Sequence, residues 1–115
     1  MMYVDFEAGN KSYKLRLNTR AIVALEKQLG VNPLSIFGMD ANEPKFPTVT
    51  EMVCVLFNSL TQYNHGITFN DAYDVFDAYL ADGHSVTDFL AVIIEVYKVS
   101  GLMPKEAKEA DEKNA

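Results

Sequence analysis

The chain has 115 residues, a single cysteine and 49% hydrophobic residues, enough for one domain with a real core and too apolar for a disordered protein. A lone cysteine, Cys54, excludes an intramolecular disulfide and fits a reducing compartment. The net charge of −6 is unevenly spread: residues 1–45 hold six Lys/Arg against five Asp/Glu, whereas 46–97 hold no Lys or Arg and seven acids, the reverse of a nucleic-acid footprint.

Residues 2–17 read as a β-hairpin. Val4, Phe6 and Ala8 alternate with Asp5 and Glu7, and Tyr13, Leu15 and Leu17 alternate with Lys14 and Arg16, the period of half-buried strands. Gly9-Asn10 is a two-residue link of the type II′ kind. It sets Phe6 opposite Tyr13, Val4 opposite Leu15 and Met2 opposite Leu17, with Asp5 facing Lys14 on the other side. An isolated hairpin is marginal in water, so its apolar face needs helices to pack on.

A first helix is expected at 19–29, capped by Asn18 or Thr19, with Ile22, Leu25 and Leu29 on one stripe and Gly30 at its C-terminal end. Asn32-Pro33 opens a short helical turn through Phe37, and 38–47 reads as a loop. Three more helices are expected at 49–63, 69–82 and 86–100. Each starts with a capping box: Thr48 with Glu51, Thr68 with Asp71, Ser85 with Asp88. The fold class is therefore α+β and mainly α: one globular domain over 1–103, a hairpin packed on about four helices, then a charged, flexible tail at 104–115.

The helices differ in how much apolar surface they offer. On a wheel of ~100° per residue, 69–82 has an ordinary stripe opposite Asp71, Asp74, Asp77 and Asp82. The 49–63 helix has Glu51 as its only charge. The 86–100 helix is apolar over roughly 220°. Two readings follow. It is a central helix, or its flank of Phe89, Val92, Val96 and Val99 faces a partner, which could be another copy of the same chain.

Motifs for chemistry are wanting. His65 and His84 sit beside glycines at helix ends without companions at metal-ligand spacing. Cys54 lies mid-helix in an apolar run, the setting of an inert core thiol. Asp71, Asp74 and Asp77 share a helical flank but lack the second cluster an oxygen-ligated metal needs. No phosphate-binding glycine loop or G-x-S-x-G occurs, so no catalytic residue, cofactor or metal is expected. No signal peptide is visible, and the apolar run Met52–Phe57 falls far short of the ~20 residues of a membrane span.

One stretch is more specific. Leu15-Arg16-Leu17 ends a strand, Leu25 to Gly30 reads Leu-Glu-Lys-Gln-Leu-Gly, and Asn32-Pro33-Leu34 follows. The segment Tyr13–Phe37 resembles the N-terminal signature of tail assembly chaperones of long-tailed bacteriophages infecting Gram-positive hosts. That resemblance implies a non-enzymatic protein in the cytoplasm of a bacterial host cell. It would bind the tape measure protein, support tail tube assembly and be absent from the virion. A frameshifted longer form would reach the tail tube protein, this chain being the short form. The expected partner surface is a helix-in-groove site lined by Phe89, Val92, Val96, Val99 and Val55, with Asp71, Asp74 and Asp77 steering basic flanks. The alternatives are a self-assembling structural subunit of a phage particle and a protein-binding adaptor of a mobile element.

Overall fold

A computed structural model of the chain describes residues 2–38 and 42–104. Apart from Pro104, the expected tail lies outside the described residues. Strands β1 (Val4–Ala8) and β2 (Lys11–Leu15) form an antiparallel hairpin, followed by helices α1 (Thr19–Leu29), α2 (Val49–Leu60), α3 (Phe69–Ala81) and α4 (Val86–Val99), with a 3-10 turn at Pro33–Phe37 between α1 and α2. The chain is α+β and mainly helical.

The hairpin register pairs Val4 with Leu15, Asp5 with Lys14 and Phe6 with Tyr13, as the two-residue link requires. Two details differ from expectation. Gly9 and Asn10 both have positive φ, 58° and 68°, which makes the turn type I′, not II′; Asn tolerates the left-handed region and the I′ twist suits the strands. The Met2–Leu17 pair does not form. Met2 is 54% exposed, and Leu17 has left the ladder: its N–H donates to Ser100 Oγ at 2.9 Å, tying the end of the hairpin to the end of α4.

Helix starts follow the sequence closely. Asn18 caps α1 by accepting from the Ala21 N–H, and Gly30 closes it in the left-handed conformation at φ 74°. Asn32 caps the 3-10 turn. All three capping boxes are complete, with each acid returning a bond to its cap N–H. Asp71 and Asp88 achieve this as fully as Glu51. The end of α2 was expected at Tyr63 but falls at Leu60. There the Asn64 side chain donates to Leu60 O and the Thr61 hydroxyl donates to Asn58 O, so local side chains take the carbonyls that a further turn would have used.

Helix α2 is the hub. It touches α1, α3, α4 and β2, while β1 packs on α3 and α4. Eight of its twelve residues are buried, against four of the fourteen in α4. Among its buried residues are Asn58 and Ser59, and both are satisfied. The Asn58 amide donates to Cys54 O and Gln28 Oε1, and the Ser59 hydroxyl donates to Val55 O. The Arg16 N–H donates to Ser59 O, linking the hairpin to α2.

Aromatic side chains join the remaining elements. Phe6 of β1 lies 5.0 Å from Tyr79 and 5.8 Å from Phe89, and Phe76 lies 5.2 Å from Phe89, centroid to centroid. Such tilted and edge contacts add to the area each ring buries. The hairpin turn is held to α3 as well: the Gly9 N–H donates to Asp82 at 2.9 Å, and a Cβ at Gly9 would stand 3.0 Å from that of Ala78.

Tyr97, with none of its surface exposed, donates its hydroxyl to Pro33 O at 2.9 Å and anchors the 3-10 turn to α4. Burial first, then the charge of Glu51, pushes its pKa far above the ordinary 10.0. Burial likewise raises Tyr79, helped by Asp88, and Cys54, helped by Glu51. The folded chain therefore keeps these protons at a pH where the unfolded chain loses them. Their contribution to stability is complete at neutral pH and falls as pH climbs past about 9 for Cys54 and about 10 for the two tyrosines. Tyr97→Phe should leave Pro33 O unpaired and lower stability at neutral pH by about 1–3 kcal/mol. It should also flatten the alkaline decline, read by urea titrations between neutral and alkaline pH. An unchanged midpoint and an unchanged decline would place the hydroxyl in water.

Candidate functional site

The residues expected to line a groove on α4 do not share a surface. Phe89 and Val96 are each 1% exposed, as is Val55 on α2; all three belong to the core. The correction has a simple cause. At 100° per residue, Phe89, Ile93, Val96 and Tyr97 make one stripe, which faces α2 and β1. Val92 and Val99 sit at its edge and are half-buried. Neither reading of this helix holds as stated: Phe89 and Val96 are core and do not face a partner, yet the central helix is α2, and α4 buries only four of its fourteen residues.

The acids separate by role. Asp71, Glu51 and Asp88 complete capping boxes, Asp82 holds the hairpin turn, and Glu95 pairs with Lys98 at 3.5 Å. Asp74 and Asp77, both exposed, have no ion-pair partner among the described residues. Asp71, Asp74 and Asp77 do not converge, and no group of three His, Cys, Asp or Glu able to hold a metal occurs among the described residues.

The titratable candidates stay apart. His65 lies in the turn before α3, against a shallow cleft that also takes in Lys11, Tyr13, Asp71 and Asp74. His84 stacks on Tyr79 at 4.3 Å, with Nδ1 3.8 Å from Asp88. Cys54 is buried among α2's apolar neighbours, and the rise in its pKa keeps it a thiol, which is poor nucleophile chemistry.

A surface that sequence reasoning passed over lies between α2 and α3. A cleft of about 290 Å³ is lined by Val49, Val53, Phe69, Tyr73, Phe76 and Asp77. Val49 is 49% exposed and Tyr73 52%. The floor is firm: Phe57 stacks on Phe69 with centroids 4.5 Å apart, and Tyr73 lies 5.8 Å from Phe69. Phe46, three residues before Val49, is 74% exposed. The signal was present in the sequence, since Phe69, Tyr73 and Phe76 share one side of α3. It could not be told from core until the position of α2 was known.

Residues 4–115 match a family of unknown function (DUF6096), and the chain belongs to that family. No curated protein and no solved structure matches it. No helix among the described residues is long and apolar enough to cross a membrane.

Substitution separates core from surface on α4. Val96→Asp would bury an unpaired charge and should cost on the order of 3–5 kcal/mol, a large share of the roughly 5–15 kcal/mol that holds an ordinary domain folded, and so lower the melting temperature sharply. Val99→Asp, at a half-buried edge, should leave a cooperative thermal melt. Thermal unfolding followed by circular dichroism checks the pair; a Val96→Asp protein that melts with the wild type would return that flank to the surface.

Proposed function

We propose that this protein is a tail assembly chaperone, a non-enzymatic helper that binds the tape measure protein in the cytoplasm of a bacterial host and supports tail tube assembly. The observation that carries the reading is the segment Tyr13–Phe37. Its Leu15-Arg16-Leu17, Leu25–Gly30 and Asn32–Leu34 motifs resemble those of the chaperone family. They fall on one continuous unit: the end of β2, the closing turn of α1 with its left-handed glycine, and the Asn32-capped turn.

The surface suits binding better than turnover. Its exposed aromatic and aliphatic side chains cluster beside unpaired carboxylates, the pattern of a recognition patch, and its titratable groups are dispersed. Acidic charge would steer a basic partner and suppress acidic competitors. A chaperone for a long helical protein needs a place for an apolar stripe until that stripe meets its final neighbours. A longer form, carrying a C-terminal extension, would bring in the tail tube protein.

Co-expression with the tape measure protein of the same genome tests the proposal, followed by pull-down and size exclusion with light scattering. The expected result is a soluble complex, with tape measure protein insoluble when expressed alone. Failure to form any complex, with this chain running as a discrete homo-oligomer, would favour a structural subunit instead.

A further inference from the structure

We propose that the cleft between α2 and α3 is the docking site, and that its occupant is a basic amphipathic helix. The helix would place a large apolar side chain against Phe69 and Tyr73 and Lys or Arg beside Asp74 and Asp77. This deepens the chaperone reading and rests on it for the identity of the natural partner.

Three observations fix the chemistry of the occupant. The first is the apolar lining. Val49 and Tyr73 stand about half exposed over a floor that includes Val53 and Phe76, each only 3% exposed. An anchor side chain entering there removes apolar surface from water on both partners.

The second is the allocation of charge. Glu51, Asp71, Asp82, Asp88 and Glu95 are engaged in caps, the hairpin clasp and an ion pair. Asp74 and Asp77 are the two acids of residues 46–97 left without such a role among the described residues. Asp77 lines the cleft itself, and Asp74 lies further round α3, on the edge of the neighbouring cleft that also takes in Lys11. No Lys or Arg occurs anywhere from 46 to 97, so neither helix wall supplies a countercharge to Asp77; Lys11 of the hairpin lines the other cleft, on the Asp71 and Asp74 side of α3. Lys45, the nearest cation before α2, has its Cγ beside Gly38.

The third observation removes the competitors. A second copy docking through the same face would set Asp74 and Asp77 against themselves across a two-fold axis, on chains that each carry −6. The chain's own residues 105–115 contain alanine but no larger apolar residue, and so have no anchor for the cleft.

The probe is a synthetic ~18-residue helix of leucine, alanine and lysine, with leucines at i, i+3, i+4 and i+7 and lysines flanking them. It is compared with a copy carrying glutamate for lysine. Fluorescence anisotropy on the full chain should show binding of the lysine helix and none of the glutamate helix. Val49→Asp and Tyr73→Asp should each weaken binding by about tenfold or more, although each adds negative charge. Both sites are about half exposed, and an acid at Val49 lies in the first turn of α2, where the helix dipole favours it. Asp74→Asn with Asp77→Asn should weaken binding and flatten its salt dependence, and this pair keeps the test open if either Asp variant misfolds. Binding of the lysine helix that is unchanged or tighter in Tyr73→Asp and Val49→Asp would reduce the effect to bulk charge and overturn the proposal. So would no binding to the wild type, or self-association that Tyr73→Asp abolishes.

The same variants belong in the tape measure pull-down. A tape measure complex indifferent to all of them overturns the cleft and leaves the chaperone reading in place. Cleft-dependent peptide binding without any tape measure complex upholds the cleft and removes the chaperone reading.

Discussion

The enclosure of α2 governs this structure. A helix packed against α1, α3, α4 and β2 cannot carry charge on most of its circumference, because an ion withdrawn from water without a partner costs several kcal/mol. The sequence of α2 obeys that limit. Its one charge, Glu51, is in the first turn, where it completes the cap. Its buried Asn58 and Ser59 return hydrogen bonds to carbonyls four residues back. The other elements are arranged around this hub, each offering one apolar face.

Enclosure also explains which parts of the fold were legible in the sequence. Local devices were read directly: the hairpin register from alternation and a two-residue link, the helix starts from Thr48, Thr68 and Ser85, the end of α1 from Gly30. Each depends on residues a few positions apart. The identity of the central helix depends on long-range packing, and there the wheel misled. The 86–100 helix had the wider apolar arc, yet its flanks at Val92 and Val99 are only half-buried. In α2, the short polar residues Asn58 and Ser59 turn inward, because both can satisfy themselves within their own helix.

The same reasoning moves the candidate site. Phe89, Val96 and Val55 looked available for a partner when α4 was taken as over-apolar, but they are spent on the core. The apolar surface left over lies instead where α3 meets the N-terminal half of α2. α3 looked ordinary on the wheel because Phe69, Tyr73 and Phe76 could all have been core. Only Phe76 is; Tyr73 remains half exposed. The acidic flank divides in a way that no charge count would give. Asp71 and Asp82 hold the fold together, whereas Asp74 and Asp77 are left to face whatever approaches α3.

The account rests on a division of labour between two surfaces of the helical layer, with α4 internal and the α2–α3 cleft open to a partner. Hydrogen–deuterium exchange of the chain, alone and with tape measure protein, addresses that division most directly. The account predicts new protection in Val49–Val53 and Phe69–Asp77 on binding, while the inner residues of α4, Phe89 to Tyr97, are slow to exchange in both states. Protection gained chiefly in α4, with the cleft unchanged, would contradict it.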